Sequence, residues 1–332
     1  MRHNATLKKI STTLGISIST VSRALKDHPD IAKQTKQKVK ELAQALDYEP
    51  NTFAIQLRTN HSNLFGIIVP TISNNFYESF IAAVEEESRK SGYSLLILQS
   101  ADNTEQETES LRICRQNRVR GVFACITPET VNFAPFEKFD ELDVPVIYFD
   151  KIPENIPGNK VSIDDDLSAR MAAEVITDKK KKNIAAIFGN DSMSISRRRM
   201  NAFVNQVSSR KNKKINVTVL HASSSEEARA QTAACLQQKE LPDCIFCMSD
   251  EILIGVMKEL QIHEIKVPDM VSVISLSNGF IPTLYYPVVS YVETSGYKLG
   301  KLAYTQMLAC ISGNKQIQEL SVKPVYVSGS SI

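Results

Sequence analysis

The sequence predicts an α/β protein with a small helical head at its N-terminus and a larger two-lobed body of parallel sheets. Up to about residue 60 the apolar residues follow only helical spacing, whereas from residue 64 apolar runs of strand length alternate with helical patterns. That alternating series occurs twice. The chain of 332 residues is long enough for two or three domains, and its 42% hydrophobic and 23% charged residues exclude a disordered or fibrous protein.

The first sixty residues contain three short helical patterns. Thr6 is placed to cap the first helix and Gly15 to end it. Ser17 is placed to cap the second helix, whose inward residues are Val21, Ala24 and Leu25. We expect a third helix from about residue 33 to 46, with Val39, Leu42, Ala43 and Leu46 on its buried face.

Charge is distributed unevenly along the chain. Residues 1–60 contain ten basic and five acidic side chains, a net charge of +5, so the rest of the chain carries −3 of the total of +2. A small basic head on a mildly acidic body is typical of a nucleic-acid-binding module joined to a second domain. A helical surface kept soluble by lysines would give the same charge.

A helix, a four-residue turn containing glycine and a second helix are the geometry of a helix-turn-helix. The second helix of this motif enters the major groove and reads base edges from its N-terminal half. Arg23 is the one long side chain there that can make a bidentate contact with guanine, and the hydroxyls of Ser17 and Thr20 suit phosphate or base contacts. The alternative is a generic three-helix domain with a solvated polar face.

The run Leu14-Gly15-Ile16-Ser17-Ile18-Ser19-Thr20-Val21-Ser22-Arg23-Ala24-Leu25 resembles the signature of the lactose-repressor (LacI/GalR) family of transcriptional regulators. His28-Pro29-Asp30-Ile31 and Leu46-Asp47-Tyr48-Glu49-Pro50-Asn51 continue the resemblance in register. The DNA-binding residues that it implies are Thr6, Leu7, Ser17, Ile18, Ser19, Thr20, Ser22, Arg23, Asn51, Ala54 and Leu57. The first helix departs from the family pattern at Lys9, Ser11 and Leu14, which are changes of packing and surface.

Residues 50–59 follow the head, and an isolated helix of this length is marginal in water. The family resemblance implies a hinge helix here that orders when two subunits meet on DNA. It also places Leu57 as an apolar wedge that enters the minor groove and kinks the duplex. The alternative is a linker helix whose Phe53, Ile55 and Leu57 pack on the body.

The body is predicted to contain two parallel sheets. Near-continuous apolar strands alternate with helical patterns, the first of which is at 76–90. This alternation indicates a parallel sheet that is covered on both faces. Two such series indicate two Rossmann-like halves with a cleft between them. The predicted strands are 65–69, 94–98, 121–125 and 144–149 in the first series and 184–188, 217–221, 244–248 and 271–276 in the second. The four lysines at 179–182 predict a solvated loop, with a second DNA-binding patch as the alternative.

Enzyme signatures are weak in this sequence. It has no G-x-G-x-x-G or G-x-S-x-G motif, and the run 296–301 imitates a phosphate loop with the wrong spacing. Cys244 and Cys247 have the spacing of a zinc half-site, but no second pair lies near, so we interpret both as part of a buried strand. We therefore expect neither an enzyme nor a bound metal or cofactor.

Polar and aromatic residues follow the predicted strands, where ligands of parallel α/β sheets bind. They are Asn74, Asn75, Phe76 and Tyr77 after the first strand, then Asp150, then Ser249 and Asp250, and finally Ser277 and Asn278. The helix after residue 189 is expected to open with Arg197, Arg198 and Arg199. A few converging polar groups and an arginine suit a small polyhydroxylated ligand, although each residue alone could be a helix cap or a solvated loop residue.

The family resemblance continues through the body, in 66–77, 242–250 and 267–273. The effector-binding residues that it implies are Phe76, Tyr77, Asp150, Arg199, Ser249, Asp250 and Ser277. One departure concerns the ligand directly. The usual Gly-Phe-Asp-Asp is replaced by Ser275-Leu276-Ser277-Asn278, so Ser277 stands where an acid commonly holds sugar hydroxyls.

Together these features predict a DNA-binding domain (1–49), a hinge helix and linker (50–62) and an effector-binding and dimerisation body (63–332), whose fold resembles periplasmic binding proteins. Lobe 1 is expected at about 63–161 plus 292–321, and lobe 2 at about 162–291 plus 322–332. The expected partners of this sequence-specific regulator of carbohydrate metabolism are a pseudo-palindromic double-stranded operator, a sugar or sugar phosphate, and a second copy of the chain. The sequence near residue 332 contains no leucine heptads of the kind that form a tetrameric coiled coil, so we expect a dimer.

Reduced cysteines and the lack of an apolar leader or membrane span predict a cytoplasmic repressor that does not bind a membrane. The main alternative is a periplasmic-type sugar-binding transport protein, which would need a leader and no basic head. An enzyme on the same doubly wound scaffold is a third interpretation.

Overall fold

The computed structural model describes residues 6–48, 62–153, 156–209 and 215–332. Its internal contacts divide the chain into two units, Met1–Asn60 and His61–Ile332, which we call the head and the body. Each is described by itself below.

The head contains the three predicted helices: α1 (Leu7–Leu14), α2 (Ile18–Leu25) and α3 (Lys33–Ala45). Gly15 ends α1 in the left-handed region at φ 64°, which a residue without a Cβ adopts at no steric cost. The small core between the helices consists of Ile10, Val21, Ala24, Val39 and Ala43, all buried. Leu42 and Leu46 pack against this core but are only partly buried.

The first sheet of the body has six strands, all parallel, in the order β11-β5-β4-β3-β1-β2. Their bounds are β1 (Leu64–Val69), β2 (Ser94–Gln99), β3 (Gly121–Ala124), β4 (Val146–Phe149), β5 (Asn159–Ile163) and β11 (Glu319–Val322). We call this sheet and the helices packed on it lobe 1.

The second sheet repeats the same strand order as β12-β10-β9-β8-β6-β7, with one difference: β12 runs antiparallel to β10. Its strands are β6 (Asn183–Phe188), β7 (Asn216–His221), β8 (Cys244–Cys247), β9 (Ser272–Ser277), β10 (Ser290–Glu293) and β12 (Val325–Val327). We call this sheet and its helices lobe 2. The prediction of two parallel sheets is confirmed, and β5, β10, β11 and β12 are strands that the sequence patterns did not predict.

Eight further α-helices of the described residues cover the two sheets. Lobe 1 carries α4 (Asn75–Lys90), α5 (Thr104–Gln116), α6 (Ala134–Asp140) and α11 (Gly296–Ile311). Lobe 2 carries α7 (Asp165–Asp178), α8 (Ser194–Ser208), α9 (Ser225–Leu236) and α10 (Asp250–Ile262), with a short 3-10 helix at Ile281–Leu284. The chain passes between the sheets after β5, β10 and β11, and the predicted lobe divisions fall one or two residues before these strand ends.

Aromatic side chains fill the sheet–helix interfaces of both lobes. In lobe 1 the rings of Phe80 and Phe149 stack with their centroids 3.8 Å apart, and in lobe 2 those of Phe203 and Phe246 stack at 4.4 Å. All four side chains are fully buried. Stacked pairs of this kind stabilise a core beyond the area that they bury, so each lobe has its own aromatic centre.

Cys244 and Cys247 are both buried in β8, as predicted. Because side chains alternate along a strand, two residues three positions apart point to opposite faces of the sheet and do not share one metal ion. Burial raises the pKa of both thiols, which keeps them protonated. Among the described residues there is no group of three potential metal ligands and no helix long and apolar enough to cross a membrane.

Candidate functional site

The N-terminal ends of the first two head helices are fixed by side-chain caps. The Thr6 hydroxyl accepts a hydrogen bond from the Lys9 amide at 3.2 Å, and the Ser17 hydroxyl accepts one from the Thr20 amide at 3.0 Å. The hydroxyls of Ser19 and Thr20 also lie 2.7 and 2.8 Å from the Ser17 hydroxyl. Three hydroxyls are therefore grouped at the start of α2, where the backbone amides point outward and favour an anion such as a phosphate.

The predicted DNA-contacting residues of α2 differ in exposure. Ile18, Ser19 and Arg23 are exposed, with Ile18 47% accessible, whereas Thr20 and Ser22 are half-buried. Leu7 at the start of α1 is half-buried and packs against the head core. Asn51, Ala54 and Leu57, which belong to the predicted hinge, lie outside the described residues. The exposed face of α2 thus combines an apolar residue and a hydroxyl in the first turn with a long cation in the last turn.

All seven predicted effector-binding residues line one cavity of about 500 Å³ between lobe 1 and lobe 2, which we call the cleft. Lobe 1 contributes Phe76, Tyr77 and Asp150, and lobe 2 contributes Arg199, Ser249, Asp250 and Ser277. This volume is within the range of small-molecule sites. A second cavity of about 440 Å³ adjoins the cleft and shares Lys151, Met193 and Ile195 with it.

The lobe 1 wall of the cleft is built on an aromatic residue and an acid. Asp150, directly after β4, has a left-handed backbone with φ 58°, a conformation that aspartate tolerates better than most residues. The Tyr77 hydroxyl donates to Asp150 Oδ2 at 2.8 Å. Burial, with the nearby negative charge of Asp150, raises the pKa of Tyr77, so its hydroxyl stays a donor. Phe76 packs edge-on against the Tyr77 ring, with centroids 5.6 Å apart.

The lobe 2 wall holds a second acid. The Asp250 carboxylate accepts hydrogen bonds from the Ser277 hydroxyl and, at 3.0 Å, from the Asn278 amide. Burial raises the pKa of this carboxyl group. Ser249 caps α10 by accepting a hydrogen bond from the Ile252 amide at 3.4 Å. Ser277 therefore acts here first as a support for Asp250, and the acid at this end of the cleft comes from α10.

The three consecutive arginines do not open their helix as predicted, because α8 already begins at Ser194. Arg197 donates to the carbonyls of Asp191 and Ser192, and Arg198 lies 3.7 Å from Asp166. The three side chains leave the helix in different directions since successive residues are about 100° apart around its axis. Only Arg199, which is buried, is among the described residues that line the cleft.

Comparisons with known proteins agree with this architecture. Residues 6–51 match the family model of bacterial regulatory proteins of the lacI family, and residues 173–332 match that of the periplasmic binding protein-like domain. The ribose operon repressor of Halalkalibacterium halodurans is 26% identical over 321 residues, covering 96% of this chain and 92% of the relative. The repressor PurR of Vibrio cholerae is 25% identical over 309 residues, covering 92% and 90%.

A solved structure of the lac repressor dimer, bound to operator and the anti-inducer ONPF, has the same fold. It aligns with a TM-score of 0.87 at 18% identity, covering 99% of both chains. The chain combines a LacI-family regulatory head with a periplasmic binding protein-like body. Its matching relatives are regulators rather than enzymes, which agrees with the expectation from the sequence.

Two further residues shape the cleft: Asn278, which was predicted only as a polar residue after a strand, and Asp165, which was not predicted. Asn278 connects the lobes: its Nδ2 donates to the Asn75 carbonyl at 3.1 Å, and its Oδ1 accepts from the Gly296 amide at 2.9 Å. Asp165, the first residue of α7, is buried against Arg199. In the sequence Asp165 is one of three consecutive aspartates at a helix start, a pattern that indicates a cap, and only the fold brings it to Arg199.

Proposed function

We propose that this protein is a dimeric, cytoplasmic transcriptional repressor that binds a pseudo-palindromic operator and is controlled by a small polyhydroxylated effector in the cleft. The observation that supports this most directly is the combination, in one chain, of a capped α2 with exposed Ile18, Ser19 and Arg23 and a two-lobed body with polar residues from both lobes in one cavity. A sugar-binding transport protein would use such a cleft but not such a head.

Control of DNA binding follows from linkage between the two sites. An effector that binds one arrangement of the lobes more tightly than another shifts the population toward that arrangement. If only one arrangement is compatible with operator binding, effector and operator change each other's affinity by the same factor. Asn278, which connects the end of β9 to α4 and α11, lies where such a shift would break or remake hydrogen bonds.

The relatives support the proposed direction and class of regulation. The relatives from Halalkalibacterium halodurans and Vibrio cholerae are both repressors, and the first regulates a ribose operon. The lac repressor structure contains a dimer on its operator. We therefore propose repression and a homodimer for this chain, with a two-fold operator that matches the two-fold protein. The two lobes, divided where the chain leaves β5, β10 and β11, form the regulatory unit.

The DNA-binding proposal is tested by selecting duplexes from a random pool with the purified protein and measuring affinity by fluorescence anisotropy. Arg23→Ala should weaken binding to the selected duplex by about 1–3 kcal/mol and relax preference at one guanine position. Lys38→Ala, on the exposed face of α3, is the control and should weaken all duplexes about equally. Unchanged sequence preference in the Arg23 variant would contradict the assigned recognition helix.

The wedge role of Leu57 needs a separate experiment, since that residue was assigned from the sequence. Leu57→Ala should weaken binding to the selected operator and reduce the bend, because a methyl group does not unstack a base step as leucine does. The bend is measured by energy transfer between dyes at the two ends of the duplex. An operator that is bent to the same angle by both proteins would favour the linker interpretation.

A further inference from the structure

The positive charge of Arg199 is neutralised inside lobe 2. Its Nε and Nη2 both donate to Asp165 Oδ1, at 2.8 and 2.7 Å, and its Nη1 donates to the Met248 carbonyl at 3.3 Å. Arg199 is 6% exposed and Asp165 2% exposed, so water screens this ion pair little. The guanidinium therefore reaches the cleft with a buried carboxylate already bound to it.

The other cation that lines the cleft is also paired with an acid, although this pair is more exposed than Arg199–Asp165. Lys151 Nζ lies 2.6 Å from Asp102 Oδ1, and both residues line the cavity. Among the described lining residues, Lys151 and Arg199 are the two that carry a positive charge. Neither is left to balance the charge of an anionic ligand.

Two other acids of the cleft, Asp150 and Asp250, are in contrast held by neutral groups. Asp150 accepts from the Tyr77 hydroxyl, and Asp250 accepts from the Ser277 hydroxyl and the Asn278 amide. Asp150 and Asp250 line the same cavity as Arg199. With both cations paired, the remaining field in the cleft is negative and repels phosphate or carboxylate groups.

We propose that the cleft selects a polyhydroxylated ligand that carries no phosphate or carboxylate group, and that Asp165 is the residue that determines this selectivity by neutralising Arg199. This inference rests on the proposed role of the cleft as the effector site. It narrows the sequence-based expectation of a sugar or sugar phosphate to uncharged or amine-bearing sugars. The carboxylates of Asp150 and Asp250 remain as acceptors for hydroxyl or amine groups.

The decisive experiment measures binding of inorganic phosphate, at constant ionic strength, to the full-length wild type and to Asp165→Asn by isothermal titration calorimetry. Asparagine keeps the size of the side chain but removes its charge, so Arg199 becomes available to an anion. We expect the apparent Kd of the variant for phosphate to be lower by roughly tenfold or more, and the gain to disappear in Asp165→Asn combined with Arg199→Gln.

Asp166→Asn is the matched control. Asp166 is the next residue of α7, is only half-buried, and lies near Arg198, and its substitution removes the same charge. It should leave phosphate binding as in the wild type. A gain as large in Asp166→Asn as in Asp165→Asn would overturn the specific role of Asp165, since a general change of charge would then explain it. No gain in a folded Asp165→Asn would overturn it as well.

A measurement on the wild type keeps the proposal testable should Asp165→Asn not fold. Phosphate binding to the wild type that is lost in Arg199→Gln would show a free cationic site and overturn the proposed selectivity, while leaving the cleft as a ligand site. Phosphate binding that is absent, or equal in both proteins, is the expected result. Failure of the proposed function would be detected in a different experiment, the duplex selection, in which the protein would select no duplex.

Discussion

The two lobes stabilise their most deeply buried carboxylates differently, among the residues that the structure describes. In lobe 2, Asp165 is paired with the buried guanidinium of Arg199. In lobe 1, Glu107 is 3% exposed and is held by neutral donors: the Thr127 amide at 2.7 Å from Oε1 and the Thr130 hydroxyl at 2.7 Å from Oε2. Two sheets with the same strand order thus use a buried acid for different purposes.

The difference follows from where each acid lies. Asp165 is beside the cleft, where it determines the charge that Arg199 presents to a ligand. Glu107 is on α5 and binds the loop that follows β3, so it fixes the position of that loop. Removing the partner of a buried charge is far more costly than removing a group held by neutral hydrogen bonds. The two lobes should therefore respond very differently to loss of their buried acid.

The largest effect is expected for Asp165→Ala. The substitution leaves the guanidinium of Arg199 buried without its counter-charge, and breaking such a pair costs about 3–5 kcal/mol. Urea unfolding followed by circular dichroism should show this loss in the free energy of unfolding. Asp166→Ala removes a half-buried aspartate from the same helical turn, whose contact with Arg198 is partly screened by water, and should change the free energy of unfolding by less than about 1 kcal/mol. Equal effects of the two substitutions would contradict a special role for the buried pair.

A second test compares helix–helix packing in the two lobes, since each lobe contains a pair of helices whose backbones lie close together at a glycine. A Cβ on Gly255 would lie 2.2 Å from the Ser225 carbonyl oxygen in lobe 2, and one on Gly300 would lie 2.6 Å from the Phe80 carbonyl oxygen in lobe 1. Because backbone atoms cannot move aside easily, Gly255→Ala and Gly300→Ala should each destabilise by about 1–3 kcal/mol. The exposed Thr305→Ala in α11 is the control and should be nearly neutral.

Chemical unfolding of these three variants checks the prediction. A stability of Gly300→Ala equal to that of Thr305→Ala would show that α11 can move away from α4 at little cost. If only Gly255→Ala is as stable as Thr305→Ala, the helices of lobe 2 can move apart more easily than those of lobe 1. Lobe 2 would then be the less sensitive lobe, opposite to what the buried acids predict.

The part of the fold that periodicity could predict is the part with continuous apolar strands. The strands β1 to β4 and β6 to β9 were predicted to within about two residues. The strands β5, β10, β11 and β12 contain polar residues in short segments such as Ser290–Glu293 and Glu319–Val322. Their pairing partners are distant in sequence, for example β11 with β5, so local patterns hold little information about them.

The candidate site shows the same division. Residues directly after apolar strands, such as Asp150 and Ser277, could be located because the carboxyl ends of parallel strands meet at one edge. Asp165 could not, because its contact with Arg199 joins residues 34 positions apart on the surfaces of α7 and α8. Sequence alone also placed Arg199 at a helix start, and the earlier start of α8 at Ser194 corrected this.

The smallest effect on stability is expected for Glu107→Gln, and it should be seen in how the free energy of unfolding depends on pH. Burial raises the pKa of Glu107 above its usual value of 4.5, so its ionised form is unfavourable in the folded state. As pH falls through this raised pKa, the folded protein takes up the proton before the unfolded chain does, and the wild type gains stability that the glutamine variant does not. The stability of the wild type relative to Glu107→Gln, measured by urea unfolding, should therefore rise as the pH falls from 7 toward the usual pKa of 4.5. Glu105→Gln, an exposed position of the same helix, should show no such rise; a relative stability of the Glu107 variant independent of pH would contradict the raised pKa.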